Sequence, residues 1–129
     1  MMKKIKKFAG ILAFTCIMVM PISAFAATKS FTFDMTHQLS IGTFTSTKGS
    51  VTGTINMSSW GGDNYFTIHI YKRSFGSSTL VDKLTYSKSS AGSPYSDSSD
   101  AVTTGQSYGY EIWKNANGLR IKGSGSLSY

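Results

Sequence analysis

Cysteine is almost absent from this 129-residue chain, which contains a single one, Cys16. Cys16 lies inside an apolar run near the N-terminus rather than at its end, so it lacks the position of a lipid-attachment cysteine. One thiol forms no intrachain disulfide and no multi-cysteine metal site. The sequence therefore excludes a disulfide-stapled scaffold, and packing must stabilise the fold.

Histidine and acidic residues are also scarce, with two His and six Asp and Glu in the whole chain. Neither His37 nor His69 has a second His, Cys or acidic residue at a metal-ligand spacing. No Gly-x-Ser-x-Gly motif marks a nucleophilic serine. We therefore expect no cofactor, no metal and no enzyme activity, and we expect a protein that acts by binding.

Two chemical alternatives remain for the few carboxylates. Asp97 and Asp100, with serines between and beside them, offer oxygen ligands of the kind that Ca²⁺ prefers, although their spacing matches no defined calcium loop. Two carboxylates that met across a cleft would support glycan hydrolysis. Solvated surface acids are the simpler interpretation of both patterns.

The N-terminal residues have the pattern of a secretory signal peptide. Four lysines lie within the first seven residues, an uncharged apolar run follows from Phe8 to Met20, and Ala24-Phe25-Ala26 forms a small-x-small cleavage site. The pattern predicts a signal peptide over residues 1–26 and a secreted domain over residues 27–129. The alternative is an uncut segment, since the twenty uncharged residues 8–27 are about long enough to span a bilayer.

The excess of basic residues falls once the leader is removed. The whole chain has a formal charge of +7, but four of its thirteen basic residues are leader lysines, which leaves nine basic and six acidic residues and a charge of +3. After the leader, Lys72 and Arg73 form the one adjacent basic pair. A nucleic-acid interface needs a clustered basic stripe, so we expect no nucleic-acid partner. Weak attraction to anionic polymers or lipid headgroups is compatible with this charge.

Apolar and polar residues alternate with period two after the leader, which is typical of strands with one buried face. The alternating segments are residues 31–35, 39–44, 51–57, 65–71, 80–86, 108–112 and 119–129. Turns rich in Gly and Asn separate them, and Asn117-Gly118 is the strongest hairpin signal. The pattern predicts an all-β fold: a single antiparallel β-sandwich, Ig-like or jelly-roll-like, with about seven strands and no helix.

Three local predictions accompany this fold. The alternation slips at Gly42, where a β-bulge would restore the register. Leu80, Leu84 and Tyr86 are predicted to share one face of a strand. The Ser-rich segment of residues 87–100 is predicted to be a surface loop.

Planar side chains alternate on the predicted outer face of one strand, and others come from a neighbouring strand and from the loop. The ligand-binding candidates are Tyr65, His69, Tyr71, Arg73, Trp113 and Tyr95. Flat aromatic rings can stack on sugars or anchor a protein partner, because they offer apolar contact with little rotamer entropy to lose. The competing interpretation is that strands favour Tyr and Trp, and that cross-strand aromatic pairs stabilise a sheet without any ligand.

The end of the chain carries a resemblance. Lys114, Asn115 and Gly118, followed by the alternating residues 121–129, resemble the closing hairpin of small secreted proteins from Gram-positive bacteria. The similarity covers about a fifth of the region after the leader and consists of turn glycines and alternating apolar positions. It implies a secreted bacterial β protein and brings no catalytic residue with it.

The sequence thus predicts a small secreted bacterial β-sandwich that acts as a non-catalytic binding module, extracellular or at the cell surface. Its expected partner is a cell-envelope polysaccharide or a surface protein, with no stable membrane insertion. The first alternative is a secreted antagonist of other cells, either bacteriocin-like or a membrane-active toxin. The second is a glycan hydrolase, which would need a cleft that joins two carboxylates.

Overall fold

Eight β-strands form the regular secondary structure of the residues that the computed structural model describes, which are 27–88 and 94–129. The predicted signal peptide and Cys16 lie outside these residues. The strands are β1 (Thr28–Met35), β2 (Gln38–Thr45), β3 (Val51–Ser59), β4 (Tyr65–Ser74), β5 (Ser77–Ser87), β6 (Tyr95–Ser99), β7 (Ser107–Trp113) and β8 (Ile121–Ser128). Within the described residues, no helix has the length and hydropathy that a membrane span needs.

The strands form two four-stranded antiparallel sheets that pack face to face. The first sheet has the order β1-β8-β3-β6, and the second sheet has the order β2-β7-β4-β5. Alternate side chains of both sheets point inward and form one apolar core. The predicted antiparallel β-sandwich is therefore confirmed, with eight strands in place of about seven.

The additional strand is β6, so the prediction of a loop is wrong for residues 95–99. β6 pairs with β3 at the edge of the first sheet. Polar contacts tie it to β5 of the second sheet: the Asp97 carboxylate accepts a hydrogen bond from the amide of Thr85, and the Ser99 hydroxyl donates one to Asp82. Because its inner positions are largely polar, β6 lacks the apolar alternation that reveals the other strands.

Two β-bulges adjust the second sheet. The predicted bulge near Gly42 is confirmed by a register shift in the pairing of β2 with β7. A second register shift, in the pairing of β4 with β5, places Leu80 opposite Tyr71 and leaves it 42% exposed. Leu84 and Tyr86 are buried, so the prediction that Leu80 shares their face is wrong. The extra residue of the bulge reverses the alternation of side chains along β5.

The inner side chains of β4 lie fully within the core. Phe66, Ile68 and Ile70 of β4 are each 0% exposed. Phe66 stacks on Tyr86 with ring centroids 5.0 Å apart, and the Tyr86 hydroxyl donates a hydrogen bond of 2.9 Å to the carbonyl of Gly53. A Cβ atom at position 53 would lie 2.3 Å from that hydroxyl oxygen, so the close approach of ring and backbone requires glycine.

Candidate functional site

The outer face of the second sheet carries the aromatic candidates on its two central strands. Tyr65, His69 and Tyr71 project from β4 away from the core, because the residues between them fill the interior. Trp113 of β7 lies opposite Thr67 of β4 and so joins the same face. We call Tyr65, His69, Tyr71 and Trp113 the aromatic face. Its position on two central strands, which are paired on both edges, makes it rigid.

The imidazole of His69 stacks on the indole of Trp113. Their ring centroids lie 4.9 Å apart with an interplanar angle of 9°. His37, from the turn after β1, meets Trp113 edge-on at 5.7 Å. His69 Nδ1 and the Tyr71 hydroxyl oxygen share a hydrogen bond of 3.1 Å. The contacts hold four neighbouring rings in defined orientations before any ligand arrives.

Charged residues flank the stack on both sides. In the strand register, His69 lies between Glu111 of β7 and Lys83 of β5. The indole N–H of Trp113 donates a hydrogen bond of 2.9 Å to Glu111. Burial and the charge of Lys83 lower the pKa of His69 below its ordinary value, and the charge of Glu111 opposes them. Burial and Glu111 also raise the pKa of Tyr71. The lowered pKa of His69 and the raised pKa of Tyr71 therefore favour the neutral forms of these two rings at neutral pH.

A groove of about 330 Å³ opens beside the stack. Tyr65, His69 and Trp113 line it, together with Lys83 and Asn115. Its volume is at the lower end of the range found for small-molecule sites. The groove combines apolar ring surface with a cationic group and an amide, so it offers stacking and hydrogen bonding at the same place.

A buried cluster around Lys114 fixes the turns at this end of the sandwich. The Lys114 ammonium group lies 2.8 Å from the Asp63 carboxylate, and its side chain is 0% exposed. It also donates hydrogen bonds of 2.9 Å to the carbonyl of Thr36, 2.8 Å to the carbonyl of Asn115 and 2.7 Å to the side-chain oxygen of Asn117. One side chain thus joins three separate turns, among them the turn that carries Asn115 into the groove.

The same cluster controls the ionisation of Asp63. Burial pushes the pKa of Asp63 upward, but hydrogen bonds from Lys114, the amide of Asn64 and Asn117 outweigh it and hold that pKa below its ordinary value. The ring of His37 is tied to the cluster as well, because its Nδ1 lies 2.8 Å from the carbonyl oxygen of Lys114. The turns at this end therefore form one connected unit under the groove.

Arg73 and Tyr95 lie apart from the stack. Arg73 is on the same outer face but further along β4, where its guanidinium group lies across Gly109; a Cβ there would be 3.2 Å from Arg73 Nε. Tyr95 belongs to β6 of the first sheet and packs edge-on against Trp60 at 5.5 Å. The expectation that Tyr95 projects from a loop is therefore wrong, because its ring is half-buried against the core.

The two acidic residues considered for Ca²⁺ have different surroundings. The Asp97 carboxylate accepts hydrogen bonds from the amides of Thr85 and Ser98, at 2.8 and 2.9 Å, so both its oxygens contact the chain itself. Asp100 follows β6 and is exposed. Among residues 27–88 and 94–129, no group of three or more His, Cys, Asp or Glu is arranged to hold a metal ion.

The outer face of the first sheet has a different chemistry. Short polar side chains stand in register across three of its strands: Thr32 of β1, Ser124 of β8 and Asn56 of β3 form one row. Ser126 and Thr54 belong to the next row. These side chains line a second groove, of about 550 Å³. A variant on this face therefore tests whether a partner binds here instead of at the aromatic face.

Several residues beside the aromatic face were not among the candidates from the sequence. Leu80 reaches the outer face only because of the β5 bulge, and Lys83 and Asn115 reach the groove only through strand pairing and the turn cluster. His37 is next to Trp113 although 76 positions separate them in the chain. Gly42 interrupts the apolar alternation and so marks its bulge in the sequence. The alternation has no such interruption at Leu80, so periodicity alone cannot place Leu80 on this face.

No family model matches the chain, and no curated protein matches it. Among solved structures, it is similar to Aeromonas hydrophila PliG, a periplasmic lysozyme inhibitor of g-type lysozyme. The TM-score is 0.44 with 12% sequence identity, and the match covers 84% of this chain and 89% of PliG. The function proposed below rests on the geometry of the described residues.

Proposed function

We propose that the protein is a non-catalytic binding module that works outside the cytoplasm and recognises a protein partner through the aromatic face. The observation that carries this proposal is the preformed stack of His69 on Trp113, with two exposed apolar side chains on the same outer surface. Those side chains are Tyr65, 46% exposed, and Leu80, 42% exposed. The predicted signal peptide supports the location.

The composition and rigidity of this surface favour a protein partner. Trp and Tyr are among the residue types enriched in interface hot spots, and Trp113, Tyr65 and Tyr71 supply them. The buried positions of β4 hold the backbone of His69 and Tyr71, and the rings of His69, Tyr71 and Trp113 are in contact, so these three side chains have little rotamer freedom left to lose on binding. A preorganised surface of this kind loses less conformational entropy in forming a complex than a mobile loop does.

A saccharide ligand is the second candidate, and the groove beside Trp113 is the observation that favours it. A sugar ring could lie against the exposed ring surface, while Lys83 and Asn115 provide a cation and an amide for its hydroxyl or acidic groups. The groove and the exposed apolar residues lie on one surface, so the two candidates must be separated by experiment.

The test is capture of a partner by the immobilised protein. The wild type, Tyr65→Ala and Thr32→Ala are each immobilised and exposed to envelope proteins. Each protein is also applied in solution to a glycan array. Tyr65→Ala removes an exposed ring of the aromatic face, whereas Thr32→Ala alters the polar face of the first sheet and serves as the matched control. We expect a specific protein to bind the wild type and the control, and to bind Tyr65→Ala at least about tenfold more weakly. Equal protein binding by the wild type and both variants would refute the proposal, and binding to glycans alone would favour the second candidate.

A further inference from the structure

The β4–β5 hairpin ends in a fully exposed phenylalanine. Phe75 has a relative exposure of 108%, the highest among the exposed large hydrophobic residues of the described chain. It occupies the turn with Gly76, whose φ of +72° is in the left-handed region that favours glycine. The ring is thus held away from the core by the turn itself, and no residue among 27–88 and 94–129 covers it.

The hairpin extends past the sheet to which it belongs. β4 and β5 pair as far as Ser74 and Ser77, but β7 accompanies β4 only as far as Lys72. Because β7 begins at Ser107, one residue beyond Tyr108, the hairpin extends past β7 by about one strand residue, roughly 3 Å, before its turn. Phe75 lies at the end of this projection, where it can reach a flat surface before the rest of the molecule does.

The projecting hairpin is locally cationic. Lys72 and Arg73 are both exposed, and no acidic residue occurs from Tyr71 through Val81. The residues around Phe75, in the turn and at the start of β5, are small: Ser74, Gly76, Ser77, Ser78 and Thr79. We call Lys72, Arg73 and Phe75 the basic tip. Other charged residues at this end of the sandwich are Lys48, in the turn after β2, and Asp100, directly after β6.

We propose that the basic tip docks the protein reversibly on an anionic lipid surface. The ring of Phe75 would enter the interfacial region of the bilayer, and Lys72 would meet lipid phosphates, joined by Arg73 once its exposed side chain swings away from Gly109. An aromatic ring flanked by cations suits the boundary between headgroups and acyl chains, where apolar burial and electrostatic attraction add together. In this arrangement the docking is peripheral, because Phe75 reaches the headgroup region while the strands stay outside the bilayer.

A lipid surface fits the basic tip better than a protein partner does. A stable protein interface buries about 800 Å² on each side around an apolar centre, whereas this tip offers one ring among small polar residues. The inference does not depend on the aromatic face, because Phe75 and Lys72 are outside it. The two proposals can therefore fail separately.

Partitioning onto vesicles tests the inference. The exported protein is mixed with vesicles of phosphatidylcholine alone and with vesicles that contain equal parts of phosphatidylcholine and phosphatidylglycerol, at low and at high salt. We expect binding to the anionic vesicles at millimolar lipid, loss of most of that binding at high salt, and little binding to the neutral vesicles. Phe75→Ala should lower the partition coefficient roughly tenfold or more. Lys72→Gln should lower it about fivefold.

The matched control is Leu119→Ala, which removes an exposed apolar side chain, 36% exposed, from a turn at the opposite end of the sandwich. This variant should partition as the wild type does. The proposal would be overturned if the wild type failed to bind anionic vesicles, or if Phe75→Ala bound them equally well. It would also be overturned if Phe75→Ala weakened capture of a protein partner while no variant bound vesicles, since the tip would then be a protein contact.

Discussion

Replacing Lys114 by methionine removes the donor at the centre of the turn cluster. The Asp63 carboxylate would keep only the amide of Asn64, at 3.0 Å, and the side-chain amide of Asn117, at 3.4 Å. The carbonyl of Thr36 would lose the hydrogen bond that this ammonium group donates. A carboxylate that is 8% exposed would thus remain without its cation.

The expected loss of stability follows from that uncompensated charge. Removing one partner of a buried ion pair costs about 3–5 kcal/mol, because the remaining charge has neither water nor a counter-charge. In a domain of this size, such a loss lowers the Tm by more than about 12 °C. The double variant Lys114→Met/Asp63→Leu buries no lone charge, so it should lose less than the sum of the two single variants.

Urea unfolding followed by tryptophan fluorescence measures these free energies. Lys88→Met is the matched control, because Lys88 has an exposed side chain and its replacement should change the free energy of unfolding by less than about 0.5 kcal/mol. If the free energy of unfolding of Lys114→Met were within about 1 kcal/mol of the wild-type value, Lys114 would not be needed to compensate the charge of Asp63. In that case the cluster would not be what holds the turns under the groove.

Two further predictions follow from the core and from the stack. Gly53→Ala should lower the free energy of unfolding by about 1–3 kcal/mol, measured by urea unfolding, because its Cβ would lie 2.3 Å from the Tyr86 hydroxyl oxygen; an unchanged midpoint would contradict this packing. The folded-state pKa of His69 is below the ordinary value of 6.5, so its contribution to stability is present above that pH and is lost as the pH falls through the folded-state pKa. His69→Gln should therefore flatten the decline of stability between neutral and mildly acid pH, and an unaltered slope would show that another group causes it.

The fold could be predicted from the sequence wherever one side of a strand is apolar. Phe66, Ile68 and Ile70 alternate with polar residues, and they occupy the centre of the core as expected. The bulge near Gly42 was visible because a glycine interrupts the alternation. β6 was missed because Asp97 and Ser99 occupy its inner positions, where they bond to β5 instead of filling the core. Strands held by polar contacts leave no period-two apolar signal.

The candidate site was predictable only along one strand. The period of β4 placed Tyr65, His69 and Tyr71 on the outer face, which the structure shows. The stack on Trp113 depends on the register between β4 and β7, which pairs residues 36 to 46 positions apart, and no local pattern specifies that register. The groove depends in addition on the cluster around Lys114, whose partners come from three separate turns. Such sites are created by tertiary pairing and cannot be read from periodicity.

Binding of a partner to the outer face of the second sheet can be mapped residue by residue in solution. The most direct measurement is a two-dimensional amide NMR titration of the labelled protein with the captured partner. We predict that shifts and line broadening will concentrate on residues 65–73 of β4 and 111–113 of β7, while β1 and β8 change little. Perturbations confined to the outer face of the first sheet, around Thr32 and Ser124, would contradict the account.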